Sequence, residues 1–268
     1  MSSPVSGPVS GRGTPVLSPG EVAATVDDDD YRRLLGIPRD AGFPDAVAAG
    51  AAAARRWYAV HGRPWIAARR HAVATIDGDA IVLEDGVRVP GERLAARLAR
   101  NDAHALVAVA VSAGREVADE AARLWGADRP DESYFLDRFA TAVVETLLWR
   151  ASAILCGEAI DSGEWLVPHL SPGCGGWEID AQRQLFELVG GIDAAPAADL
   201  GEPGATVAAL GPVELLDTGS LRPQHSVLAA LGVTRRAIVA TPEGACRTCD
   251  RPGCRYRRVP RARRVEES

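Results

Sequence analysis

Near its C-terminus the chain carries Cys246, Cys249 and Cys254 in a Cys-x2-Cys-x4-Cys spacing. Two thiolates three positions apart in a turn can both reach one metal ion, so the spacing suits zinc or an iron-sulfur cluster. Three thiolates are one ligand short of a four-coordinate site, which Cys174 or a histidine would complete. Structural or redox thiols are the alternative reading. A second stretch, Leu170-Ser171-Pro172-Gly173-Cys174-Gly175-Gly176-Trp177, joins a Pro-Gly turn to two further glycines. Such a turn exposes backbone N–H and C=O groups and lets another molecule approach the main chain closely. It predicts either a loop that cradles a ligand or a plain turn.

Composition removes several function classes. All 30 basic residues are Arg, so there is no lysine for a Schiff base or for a phosphate loop that depends on one. A net charge of -6 argues against nucleic acid as a partner, because phosphate neutralisation needs a basic face. With 47% hydrophobic and 25% charged residues, the chain has the composition of one soluble globular domain. Residues 1–20 are rich in Ser, Pro and Gly and lack the continuous apolar stretch of a secretory signal or a membrane span. They are expected to be a disordered leader. Five cysteines, three of them clustered, resemble metal or redox usage in a reducing compartment, which predicts a cytoplasmic protein away from membranes.

The elements that must position these residues follow from periodicity. The acidic run Asp27 to Asp30 suits the start of a short helix carrying Tyr31, Leu34 and Leu35, and an Ala-rich helix is expected from Pro44 to His61. Residues 71–77 and 80–83, separated by Gly78-Asp79, predict a β-hairpin, with a helix after Pro90. The apolar run 104–112 predicts a strand buried on both faces, and Gly114 opens a helix to about Trp125. Residues 131–156 form the longest predicted helix, with the acid Glu145 in its second half; 179–189 form another, stopped by Gly190-Gly191. Residues 194–212 have a loop-like composition, and strands are expected at 213–216, 226–231 and 237–240. The resulting expectation is an α+β fold, long helices packed on a central mixed or antiparallel sheet. The domain is expected to span 21–243, followed by a Cys-rich segment and Arg-rich tail at 244–268.

The order of these segments resembles the activation domain of cobalamin-dependent methionine synthase. That family carries an Arg-x-x-Pro-Gly-Tyr signature, at whose place stand His169 to Cys174, and a later Pro-x-x-Ser-Val pattern, matched by Pro223, Ser226 and Val227. The segment DYRRLLGIP at 30–38, the HALVAVAVSAGREVADEAARLW stretch and the terminal CRTCDRPGC are similar to free-standing members of the family. The likeness covers roughly Asp27 to Arg258.

The resemblance implies an accessory protein for cobalamin-dependent methyl transfer, promoting reductive methylation of inactive cob(II)alamin with S-adenosylmethionine. It implies a cobalamin-binding protein or truncated methionine synthase as the partner that presents the corrinoid, and a flavodoxin or ferredoxin as electron donor. Cofactor contacts carry over to Ser171, Pro172, Gly173 and Cys174 in the turn, to His169 at the family's Arg, and to Glu145, which would face a ligand cation. Imidazole cannot make the guanidinium fork, which favours an alternative: a corrinoid-protein-binding or metal- and redox-binding module that has lost S-adenosylmethionine. A third reading, a zinc- or iron-sulfur-binding regulator, rests on Cys246, Cys249 and Cys254 alone.

Overall fold

A computed structural model describes residues 13–38, 41–174, 177–193 and 204–238. The first element, β1 (Thr14–Glu21), lies where the sequence suggested a disordered leader; it pairs antiparallel with the first half of a later strand. Next come α1 (Asp28–Leu34), whose Asp27 side chain caps Asp29 N–H, and α2 (Asp45–His61). The long strand β2 (Trp65–Asp77) turns at Gly78 into β3 (Ala80–Leu83), and β4 (Arg88–Pro90) follows. After α3 (Glu92–Arg100) and β5 (Ala103–Ser112), the helices α4 (Arg115–Gly126) and α5 (Pro130–Asp161) form an antiparallel pair. Then come β6 (Trp165–Leu170) and α6 (Ala181–Val189), which ends on Gly190 in the left-handed conformation. The short strands β7 (Ile192–Asp193), β8 (Thr206–Leu210), β9 (Val213–Leu216) and β10 (Leu221–Arg222) precede the last, β11 (Ser226–Thr234).

Seven strands form the main sheet in the order β4-β3-β2-β5-β11-β6, with β1 beside β2; the four short strands form a second sheet, β10-β9-β8-β7. Every strand pairing among the described residues is antiparallel. The fold is therefore α+β, as expected, with the antiparallel form of the sheet.

Both faces of the main sheet are covered, and β5 shows why its sequence is continuously apolar. Ala105, Val107, Val109 and Val111 point into a core shared with α1, α2, α4 and α5. Leu106, Ala108 and Ala110 point into a second core shared with α3, α6 and the small sheet. A strand buried on both sides needs apolar residues at every position rather than at alternate ones. At 32 residues α5 is long and apolar enough to cross a membrane by length and composition, yet half of its most apolar window is buried within the protein. Its apolar residues include Phe139, Val143 and Leu147, all in the first core.

Several expectations shift. Residues 206–210, expected to be loop, are a strand, because Thr206-Val207 start a hairpin that covers the second core with Ala208. The strand β6 was not anticipated: WLVPHL contains a proline and a histidine, and only its edge position in the sheet accommodates them. Residues 237 and 238, expected to begin a strand, are irregular. The rest of that segment, the Arg-rich tail, and Cys246, Cys249 and Cys254 lie outside the described residues.

Candidate functional site

The loop after β6 is a closed turn. Cys174 N–H bonds Ser171 O at 3.1 Å, Gly173 N–H bonds Trp177 O at 2.8 Å, and Trp177 N–H bonds Cys174 O at 2.9 Å. Gly173 has φ +82, a conformation that L side chains rarely adopt, so glycine is required here by the backbone. Trp177 is buried and its indole N–H donates to Pro90 O at 2.9 Å, pinning the loop to the end of β4. Arg97 of α3 is also buried and donates to Pro168 O and His169 O at 3.2 and 3.4 Å. A guanidinium thus fastens the main chain that leads into the turn, while His169 itself stands half-buried.

Facing this turn is the connection from β10 to β11. Its Pro223 follows a cis peptide, and Ser226 begins β11 with its hydroxyl on Ser112 Oγ at 3.0 Å. His225 O accepts from Ala113 N–H at 2.9 Å, and the His225 ring nitrogen Nε2 meets Asp137 Oδ1 of α5 at 3.1 Å. Gln224 donates to the same carboxylate oxygen at 3.0 Å. The His225 hydrogen bond, helped by the Arg138 guanidinium and opposed by partial burial, holds the Asp137 carboxyl down to about 2.

Between the turn and this connection lies an open groove of about 360 Å³. Ser171, Pro172, Ile179 and Gln182 form one wall, Ser220, Leu221 and Gln224 the other, and Ser226, Val227 and Leu228 the floor. The two segments singled out in the sequence, 169–174 and 223–227, therefore meet across one concave surface. Gln182 is held by Gly219 O at 2.8 Å. Among the described residues the lining has hydroxyls, amides and aliphatic surface and no charged side chain. Such a surface matches a neutral heterocycle and its hydroxyl groups.

Glu145 is not brought to this groove. It lies two helical turns beyond Asp137 and forms an ion pair with Arg33 of α1, in the helical layer of the first core. Its position on α5 gave it the right element and the wrong place along it: Asp137, eight positions earlier, is the acid that meets the groove's connection. Among the described residues, no three His, Cys, Asp or Glu side chains are grouped so as to hold a metal ion. Cys174 is a free, half-buried thiol in the turn. Asp137, His225, Gln224 and Arg97 were missed by sequence reasoning, because a single Asp on a helix and a His after Pro carry no spacing signal until the fold joins them.

No protein-family model matches the chain, and no curated protein matches it significantly in sequence. Among solved structures it is similar to the MetH reactivation domain bound to AdoHcy, with a TM-score of 0.51 over 84% of this chain and 81% of that one. The fold is MetH reactivation domain-like. At 14% identity the likeness concerns the fold. The aligned share of both chains spans nearly the whole domain rather than one supersecondary unit.

Proposed function

We propose that the groove between Pro172 and Leu221 binds an S-adenosyl thioether or sulfonium, and that the chain is an accessory to cobalamin-dependent methyl transfer. One observation carries the reading: residues of two motifs some fifty positions apart, resembling those of methionine synthase activation domains, line one open groove. The likeness to a reactivation domain bound to AdoHcy supports it.

The lining fits the nucleoside and thioether better than the amino-acid end. Pro172, Ile179, Leu221 and Leu228 offer apolar surface to an adenine ring, while Ser171, Ser220 and Gln224 offer partners for ribose hydroxyls. S-adenosylmethionine, when bound, supplies an electrophilic methyl for a corrinoid on a partner protein. The work of this chain is to hold the donor shallowly enough that a second molecule can meet it, a contribution of position rather than acid-base chemistry. The clamp of Asp137 on His225 and Gln224 keeps the second wall in place.

A second reading, a module that docks on a corrinoid protein without using a methyl donor, is favoured by the absence of charge in the described lining and by His169. Calorimetry with S-adenosylhomocysteine and S-adenosylmethionine separates the two. Saturable heat that is weakened by Leu221→Trp, which fills the groove, supports the first. No heat at millimolar ligand leaves the second.

A further inference from the structure

A larger hollow, of about 680 Å³, lies at the same end of the sheet between α4, the first turns of α5 and the β10–β11 connection. It meets the nucleoside groove at Gln224, which lines both. Along α4 the lining residues Arg115, Ala118, Ala122 and Trp125 recur every three or four positions, so one stripe of the helix forms a wall. Ten residues of helix set the two ends of that wall roughly 15 Å apart.

The ends differ in chemistry. At one end Trp125 is 69% exposed and Tyr134, across the hollow on α5, is 49% exposed. Large aromatic side chains left in water beside an alanine floor are surface that packing does not use. At the other end Arg115 and Arg222 both engage the single carboxylate of Glu214, with Asp119 offsetting the remaining positive charge. Their side chains remain 48% and 50% exposed. Two carboxylates also line the hollow. Asp137 is met by Arg138, His225 and Gln224, and Asp119 stands exposed one turn from Arg115, where it can accept from a hydroxyl.

We propose that this hollow binds a small planar aromatic ring joined to a phosphate, the ring at Trp125 and Tyr134 and the phosphate at Arg115 and Arg222. A volume of this size is within the range of small-molecule sites, and the length of the wall matches a mononucleotide. Stacking supplies affinity and two guanidiniums supply selection for the doubly charged oxyanion.

Flavin mononucleotide and riboflavin are suitable probes, because stacking on Trp or Tyr quenches flavin fluorescence and the pair differs only by the phosphate. Titrations use the full chain saturated with S-adenosylhomocysteine, so that binding in the neighbouring groove does not contribute. Wild type is expected to quench flavin mononucleotide saturably and to bind riboflavin roughly ten-fold more weakly. Trp125→Ala is expected to weaken both probes roughly ten-fold. Arg115→Ala is expected to remove the preference for the phosphate and leave riboflavin unchanged. Both variants alter exposed side chains, and their melting curves report whether the fold is intact. Absence of saturable quenching at millimolar flavin mononucleotide overturns the proposal, as does a folded Trp125→Ala protein that binds both probes as wild type does.

Discussion

His225 Nε2 sits 3.1 Å from Asp137 Oδ1, so the first turns of α5 hold the connection that forms one wall of the open groove. The main chain of His225 is fixed separately to the end of β5 through Ala113. The side-chain contact and the main-chain contact together fasten the wall from two elements.

Replacing His225 with Ala removes a side chain that is 93% out of water and strips one donor from Asp137, which keeps Arg138 and Gln224. A loss of about 1–3 kcal/mol in urea unfolding is expected. If the contact positions the wall, S-adenosylhomocysteine affinity falls in addition, at temperatures where the variant is fully folded. Affinity equal to wild type under those conditions would show that the wall stands without the clamp.

Glu164 carries a pH prediction. Arg70 binds it through both carboxylate oxygens at 2.6 and 2.8 Å and His104 Nε2 adds a contact at 2.8 Å. Chiefly through Arg70, and against burial, its carboxyl is held down to about 2 from its ordinary 4.5. A folded-state value below the unfolded one means that the stabilisation is complete above about pH 4.5 and drains away as pH falls toward 2. Glu164→Gln should therefore lower stability by roughly 1–3 kcal/mol at pH 7, and its deficit against wild type should shrink steadily between those limits. A deficit independent of pH would place its origin in packing.

Gly173→Ala tests the turn. At φ +82 any side chain is strained, and a Cβ would meet only Ile179 Cδ1, at 3.4 Å. A cost of about 1–2 kcal/mol is expected from the backbone alone. Thermal melting that matches wild type would show that the turn relaxes to a different conformation.

The neutral lining makes a prediction about ligands. 5′-Methylthioadenosine, which lacks the amino-acid end of S-adenosylhomocysteine, should bind within about three-fold of it, since no charged side chain in the described lining selects for that end. Tight S-adenosylhomocysteine binding beside a methylthioadenosine Kd a hundred-fold weaker would require a cation at the groove.

Much of the fold was legible in the sequence. The helices over 45–61, 92–100 and 115–126 and the all-apolar strand over 103–112 follow from periodicity and from Pro and Gly punctuation, signals that lie within one element. What was not legible depended on partners distant in the chain. Residues 14–21 become a strand because the free edge of Trp65 to Arg70 accepts them, which a Ser-, Pro- and Gly-rich stretch does not announce. The Pro-Gly turn and the Ser226-Val227 pair were recognised as separate motifs, and their meeting across a groove required the pairing of β6 with β11. Glu145 was selected as an acid inside its predicted helix, but Arg33, more than one hundred residues earlier, occupies it.

The strand β11 enters the main sheet between β5 and β6, although it is the last described strand to leave the ribosome. Until it arrives, β5 and β6 face each other across a gap, and a nascent chain shows the aliphatic edge of its own half-built sheet. Closure of the sheet therefore waits on the last described strand, and a chain ending before Ser226 lacks both the strand that joins β5 to β6 and the residues 226–228 that line the groove.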